Sequence, residues 1–303
     1  MQRMNELIQT AQLRTQLASI NPPLLIDVRL EEDFEAAHIP EAINNCVYEV
    51  AFRERLASIA PQRTWPIVVY GAYSGSYEAR IAAEKLSKAG YTTVYEYRDG
   101  FAAWEAAGGP INKGATRPAE AQIVDGARPI DLAESWVEWT GRNLLSKHRG
   151  RVGLRSGQLE FVQGQLIRGD VVVDLKNITC FDLQGTAAHE VLINHLQSDD
   201  FFDVERFPEA LLVINSARKI DGASPGQLNY EIFADLTLKG VVAPLAFRAA
   251  AGVAPDGRAA AQAILSFDRT RWNVLYGSAR FFQRIGMHMV NDLVDLEVKV
   301  VTH

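Results

Sequence analysis

The length, composition and charge of the chain limit what it can be. Its 303 residues suffice for two domains of ordinary size, and 48% hydrophobic with 22% charged residues is typical of a globular protein rather than a disordered or fibrous one. The formal net charge of −6 at pH 7 leaves no basic surplus to neutralise phosphates, which argues against nucleic acid as the main partner. The amino-terminal residues lack the apolar core of a signal peptide and no apolar stretch could span a bilayer, which predicts a cytoplasmic location.

The first 110 or so residues alternate between short apolar runs and helical patterns. LLIDVR (24–29), PIVVY (66–70) and TTVYEY (92–97) are predicted to be strands, and the first two are apolar enough to be buried on both faces. ARIAAEKLSKAG (79–90) and FAAWEAAG (101–108) are predicted to be helices. Such alternation predicts an α/β domain with a parallel sheet between helices.

The remainder of the chain has a different pattern. Gly, Pro and Ala cluster without periodicity over residues 113–130, which we interpret as a linker between a domain at 1–112 and another at 131–303. The second domain is predicted to consist of alternating antiparallel strands joined by hairpin turns, with one helical insertion at 186–202. Periodicity alone leaves open whether these strands form a sandwich or a closed barrel.

Three segments of the amino-terminal half together make a specific match to one family. IDVR (26–29), HIPEAIN (38–44) and DGFAAWEAAG (99–108) resemble the rhodanese family, which implies a three-layer α/β fold and a role for Asp27 and Arg29 in fixing the loops. In that family the residue after the central apolar strand is the cysteine that carries the transferred sulfur. This sequence has Gly71 there.

The loop after that strand is therefore interpreted as a degenerate active site without a catalytic residue. A hydroxyl cannot replace a thiolate in sulfur transfer, and Cys46 lies outside the loop. Its backbone amides could still bind an anion or a protein partner, or the loop could merely close the domain. A sulfurtransferase acting through a non-cysteine site is the alternative. The loop consists of Gly71, Ala72, Tyr73, Ser74, Gly75, Ser76 and Tyr77.

The carboxy-terminal half resembles the YceI-like polyisoprenoid-binding family. The resemblance is carried by HLQSDDFFDVERFP (195–208), DLTLKG (235–240) and FDRTRWNV (267–274), in the family's order. It implies a lipocalin-like antiparallel barrel whose apolar cavity holds an isoprenoid or another long-chain lipid. A barrel of eight strands is just wide enough for one slender ligand.

The candidate ligand-binding residues form an apolar and a polar set. We expect the cavity to be lined by Trp139, Phe161, Val172, Leu192, Leu196, Phe201, Phe202, Leu238, Phe247 and Trp272. We expect the polar residues near one mouth to be His148, Asp174, His195, Asp200 and Arg269. For Arg269, the sequence favours a structural ion pair with Asp268, with Asp174 or with the helix over contact to a head group.

No cofactor is predicted besides a bound lipid, and no metal site, because the histidines and the two cysteines are not at metal-ligand spacing. We interpret Cys46 and Cys180 as small buried side chains. The sequence thus favours a lipid carrier with an inactive rhodanese-like module that docks or regulates. A protein partner for that module and a homodimer are compatible with this reading, and a scaffold whose barrel is filled by side chains is a further alternative.

Overall fold

The structure is a computed structural model. Contacts between Cα atoms divide the chain into two compact units, residues 1–119 and 120–303, which are described one at a time. Within the described residues, no helix is long and apolar enough to cross a membrane. The described residues are 6–114, 123–224, 226–254, 256–284 and 286–303.

The predicted linker at 113–130 is only partly covered, because residues 115–122 lie outside the described residues. Two short strands fall at its edges, Asn112–Lys113 and Gly126–Pro129. The domain boundaries read from the sequence stay predictions.

The first unit is a parallel sheet with helices, as the alternating pattern predicts. Its sheet has the order β1-β6-β5-β2-β4, and every pairing in it is parallel. A separate two-stranded sheet pairs β3 with β7. The elements are β1 (Glu6–Ile8), α1 (Thr10–Leu17), β2 (Leu24–Asp27), α2 (Glu31–Ala36), β3 (Ala37–His38), β4 (Ile43–Asn44), α3 (Phe52–Ile59), β5 (Ile67–Tyr70), α4 (Glu78–Lys88), β6 (Val94–Tyr97), α5 (Gly100–Ala106) and β7 (Asn112–Lys113).

Strand β5 shows why the unit has three layers. All four of its side chains are fully buried. Ile67 and Val69 belong to a cluster with residues of α3 and α4, whereas Val68 and Tyr70 belong to a cluster with residues of α1 and α5. Because successive side chains of a strand point to opposite faces, the helices cover both faces of the sheet. This confirms the predicted α/β class.

Helix α4 begins directly after the loop that follows β5, and its sequence fixes both its packing and its end. Ala79, Ala82, Ala83 and Leu86 recur at helical spacing and are buried against the sheet. Gly90 has φ of +90°, and the Tyr91 N–H donates to the carbonyl of Leu86, which completes a Schellman motif. The helix therefore stops where the sequence predicts.

The second unit is a closed antiparallel barrel, which decides between the two architectures left open by periodicity. Each strand from β9 to β16 pairs with the next along the chain, and β16 pairs with β9, with Leu296 opposite Trp139. Strand β8 adds to β10. The elements are β8 (Gly126–Pro129), β9 (Trp136–Arg142), β10 (Lys147–Val162), β11 (Gln165–Cys180), α6 (Ala187–Gln197), β12 (Glu209–Lys219), β13 (Tyr230–Leu238), β14 (Val241–Val253), β15 (Ala259–Asp268), β16 (Leu293–Val301) and the 3₁₀ turns Arg269–Trp272 and Gly286–His288.

The barrel interior contains two apolar clusters, which we call the filled cluster and the cavity cluster. The filled cluster includes Leu159, Phe161 and Tyr230. The cavity cluster includes Leu238 and Trp272. Among the described residues, no buried member of the filled cluster lines the cavity described below. One end of the barrel is thus occupied by a cluster of apolar side chains, and the other encloses the cavity.

Candidate functional site

The cavity at the open end of the barrel has a volume of about 340 Å³. Its wall is built by alternate residues of the strands, whose side chains point inward at every second position. This volume falls within the range of pockets that hold small molecules. The apolar part of the wall includes Val137, Trp139, Val152, Val173, Leu175, Ile178, Ala210, Leu236, Leu238, Phe267, Val294 and Leu296.

Helix α6 covers part of this cavity. Leu192, His195 and Leu196 line the cavity, while no residue of the helix is fully buried. At the last residue of the helix, the Gln197 side chain donates a 3.0 Å hydrogen bond to the Lys176 carbonyl of β11. A helix held by partly buried contacts is cheaper to displace than a core helix, because less apolar surface must be re-exposed.

A cluster of aromatic rings follows α6 at the cavity mouth. The His195 ring meets the edges of Tyr276 and Phe201, with centroids 4.4 and 5.0 Å away. The Nε2 atom of His195 lies 3.6 Å from an oxygen of Asp200, which places both predicted polar residues on the same side of the helix end. Tyr276 lines the cavity and was not predicted, since its segment carries no periodicity.

The role of Arg269 differs from the ion pair that the sequence suggests. Its guanidinium, 1% exposed, donates to the carbonyls of Val274, Val290 and Asn291 at 2.6, 3.1 and 3.0 Å. Its nearest carboxylate is that of Asp292, at 3.8 Å, rather than Asp268 or Asp174. Burial lowers the pKa of this guanidinium. Arg269 therefore holds the segment before β16 against the mouth of the cavity.

Most of the predicted ligand-binding residues lie together at this cavity. Their proposed contact with a ligand stays a prediction. The predicted residues that line the cavity are Trp139, His148, Leu192, His195, Leu196, Phe201, Phe202, Leu238 and Arg269.

The other six predicted residues do not line the cavity, and one of them, Asp200, lies beside His195. Phe161 lies in the filled cluster, and Trp272 is fully buried with its Nε1 donating to the Leu236 carbonyl at 2.7 Å. Phe247 packs against both clusters. Val172 and Asp174 flank the cavity-lining Val173 on β11, so their side chains point to the opposite face.

Three side chains that no sequence pattern groups together meet beside the mouth of the cavity. The pairing of β10 with β11 sets Gly150 opposite Cys180 and so brings His148 beside Asp182. His148 Nδ1 lies 2.7 Å from one oxygen of Asp182, and Cys180 Sγ lies 3.4 Å from the other. Although burial opposes the shift, the Arg149 N–H and these two side chains lower the pKa of Asp182 to about 2. No spacing in the sequence signals this cluster.

The loop after β5 in the first unit encloses a carboxylate of the chain itself. Glu78, the first residue of α4, is 8% exposed. Its Oε2 accepts hydrogen bonds from the Ala72 N–H and the Ser76 hydroxyl, both at 2.7 Å, and its Oε1 accepts one from the Tyr48 hydroxyl at 3.1 Å. The Ala72 N–H, one of the loop amides expected to be available to an anion, is therefore already hydrogen-bonded to Glu78.

Gly71 is packed tightly against this carboxylate. A Cβ atom at Gly71 would lie 2.5 Å from Glu78 Oε2 and 2.8 Å from Glu78 Cβ. Glycine is therefore required at position 71 because there is no room for a side chain, and not because of a positive φ angle. Nearby, Arg29 forms a buried bidentate pair with Asp27 and donates to the Ala37 carbonyl at 2.7 Å, fixing the segment after β2.

Comparison with known families follows this division into two units. A model of the YceI-like domain matches residues 129–302, more than half of the chain. The chain belongs to the YceI-like family. A model of the rhodanese-like domain matches residues 9–107. Both expected domains are thus present, in the expected order.

Individual relatives cover parts of the chain. The HTH-type transcriptional regulator Rv0324 of Mycobacterium tuberculosis is 33% identical over 91 residues, and the match spans 38% of that protein's length. The crystal structure of BcnA from Burkholderia cenocepacia covers 57% of this chain and 99% of its own, at 18% identity and a TM-score of 0.45. A polyisoprenoid binding domain from Saccharophagus degradans, implicated in plant cell wall breakdown, covers 59% and 98%, at 14% identity and a TM-score of 0.43.

Proposed function

We propose that this YceI-like protein binds an isoprenoid or another long-chain lipid in its barrel and acts as a carrier for it. The observation that carries the proposal is the cavity of about 340 Å³ with an apolar wall at one end of a closed barrel. Burying a hydrocarbon chain gains about 0.8 kcal/mol per CH₂, so ten carbons would supply about 8 kcal/mol before the cost of association. Few polar contacts are then needed.

The position of α6 supports a carrier that exchanges its ligand. The helix presents Leu192 and Leu196 to the cavity but has no fully buried residue. Displacing it would open the cavity without disturbing the filled cluster at the far end. The polar side chains of His148 and His195 at the mouth are suited to a head group, whereas the chain lies deeper.

We assign the rhodanese-like unit a docking or regulatory role without sulfur transfer. Position 71 is glycine, which cannot hold a sulfur atom covalently, and the Glu78 carboxylate fills the loop. A negative charge there would repel an anionic sulfur donor such as thiosulfate. Turnover of thiosulfate and cyanide to thiocyanate by the purified chain would contradict this assignment.

Organic extraction of the purified protein followed by mass spectrometry tests the carrier. We expect an isoprenoid or fatty-chain molecule in the extract, and less of it from Ala210→Phe, which fills the cavity from β12. Val213→Phe is the matched control, because Val213 lies on the same strand but is 37% exposed. A lipid-free extract combined with no stabilisation by added prenyl lipids, or equal lipid in both variants, would refute the proposal.

The proposal extends to location and assembly. We place the carrier in the cytoplasm and allow for a homodimer as well as a protein partner of the rhodanese-like unit. Cell fractionation tests the first statement, and analytical ultracentrifugation of the purified chain tests the second.

A further inference from the structure

The cluster of His148, Cys180 and Asp182 combines three different metal-binding groups. One ligand atom from each lies within 4.8 Å of the others. Cys180 is fully buried, whereas the His148 side chain is 39% exposed and lines the cavity mouth. Strands β10 and β11 hold the first two residues, and Asp182 follows two positions after Cys180. Two of the three groups are therefore fixed by a paired sheet, and the third lies directly beyond the end of β11.

The separations suit a small ion. Ligand atoms around a tetrahedral Zn²⁺ stand about 3.3–3.7 Å apart, given bond lengths of about 2.0–2.3 Å. His148 and Cys180 contact different oxygens of Asp182, at 2.7 and 3.4 Å, and one ligand atom from each of the three residues lies within 4.8 Å of the others. The His148 and Asp182 side chains are partly exposed, so they have room to rotate around an ion.

We propose that His148 Nδ1, Cys180 Sγ and one oxygen of Asp182 bind a zinc ion whose fourth position faces solvent at the barrel mouth. A mixed sulfur, nitrogen and oxygen donor set suits borderline-soft Zn²⁺ and disfavours Mg²⁺ and Ca²⁺, which take oxygen ligands. Three protein ligands with one open position are also how zinc is held where it contacts a further molecule.

The proton balance of binding follows from the hydrogen bonds. Cys180 gives up its thiol proton to solvent, and the His148 ring carries its proton on Nε2, which leaves the Nδ1 lone pair for the ion. Asp182 gives an oxygen of its carboxylate to the ion. The Arg149 N–H, 2.9 Å from Asp182 Oδ1, remains bonded and orients the carboxylate. Binding thus releases one proton and needs no other reactant.

Titration of the metal-free full chain with Co²⁺ and then Zn²⁺ tests the site. We expect one equivalent of Co²⁺ to give a thiolate-to-cobalt charge-transfer band, which Zn²⁺ then abolishes. Cys180→Ser should remove the band, and His148→Ala should weaken zinc binding at least tenfold in competition with a chromophoric chelator. Cys46→Ser is the matched control, since Cys46 is the other buried cysteine, in the first unit.

The outcomes are decisive even if Cys180→Ser fails to fold. His148 is partly exposed, so His148→Ala is expected to keep the fold, which circular dichroism checks. Absence of a thiolate band in the native chain overturns the proposal. So does a band lost in Cys46→Ser but kept in Cys180→Ser, or zinc affinity unchanged in His148→Ala. Lipid extraction plays no part in this test, so its result is independent of the carrier function.

Discussion

Replacing Gly71 by alanine is a sharp test of how the degenerate loop is packed. The added Cβ would meet Glu78 Cβ at 2.8 Å and Glu78 Oε2 at 2.5 Å, where about 3.4 Å is the ordinary limit of contact. Glu78 cannot swing away without leaving the Ala72 N–H and the Ser76 hydroxyl unbonded. We expect Gly71→Ala to destabilise the first unit by about 1–3 kcal/mol, as overpacking does elsewhere.

The loop supplies its own control. A Cβ at Gly75 would meet only the ring of Tyr73, which is 58% exposed and free to turn. Gly75→Ala is therefore expected to cost well under 1 kcal/mol. A double-mutant cycle adds Glu78→Gly, which removes the two closest atoms that Gly71→Ala meets and leaves only Ser76 Oγ, at 3.0 Å. We expect Gly71→Ala to cost at least about 1 kcal/mol less in the Glu78→Gly background.

Hydrogen exchange measured by mass spectrometry is the suitable assay, because it reports the opening free energy of each unit separately in a two-domain chain. Peptides from β5 and α4 should lose protection in Gly71→Ala, while peptides from the barrel should not change. Equal costs for the alanines at positions 71 and 75, or no coupling with Glu78→Gly, would show that the carboxylate is not what excludes a side chain there.

Three further predictions follow from single contacts. Gly71→Cys alone should show no thiosulfate:cyanide sulfurtransferase activity, because its side chain would be forced against the carboxylate of the loop. Trp272→Phe should destabilise the barrel by about 1–3 kcal/mol, since it removes the buried hydrogen bond to the Leu236 carbonyl. Trp139→Phe should cost at least about 1 kcal/mol less, because the buried Trp139 Nε1 has no hydrogen-bond partner among the described residues. Burial opposes the shift, but hydrogen bonds from Thr270 lower the pKa of Asp268 below 3.8 in the folded barrel. The stability that this carboxylate contributes is therefore present above pH 3.8 and is lost as the pH falls through its folded pKa. Asp268→Asn should therefore reduce the acid sensitivity of the barrel in thermal melts.

Each of these three predictions would be contradicted by one specific result. Sulfurtransferase turnover in Gly71→Cys would mean that the loop still accommodates a reactive side chain. Equal urea unfolding free energies for the two tryptophan variants would remove the energetic role given to the Trp272 hydrogen bond. An unchanged acid transition in Asp268→Asn would place the acid-sensitive group elsewhere in the barrel.

Local patterns were sufficient for much of the fold. Strand β5 and helix α4 could be predicted because their apolar residues repeat with the period of their own element. Strands β1 and β4 were missed, since each is two or three residues long and is defined by pairing with β6 and β2 rather than by pattern. Barrel closure was implied only by family resemblance, because β9 and β16 are paired across most of the second unit.

The candidate site has features that local sequence patterns cannot predict. Phe161 and Leu238 both point inward, yet Phe161 lies in the filled cluster and Leu238 lines the cavity. The position of an inward residue along the barrel axis depends on how the strands are staggered in the closed sheet, which a local pattern does not show. The run Val171–Val173 has no alternation to show which member faces inward. His148 and Cys180 meet only because β10 and β11 pair in register, with irregularities near Val152 that sequence cannot show.

The closure of the barrel by β16 also has a consequence for how the protein is made. The pairings from β9 through β16 join strands that follow one another along the chain, whereas β16 with β9 joins strands about 150 residues apart. Forming that last pairing costs the most chain entropy, so we expect it to come late in folding. Until β16 is synthesised and docked, β9 and β15 present unpaired edges and the cavity has no complete wall. We therefore expect a lipid to be enclosed only after β16 has been synthesised and paired, and the unpaired edges of the nascent barrel to need protection until then.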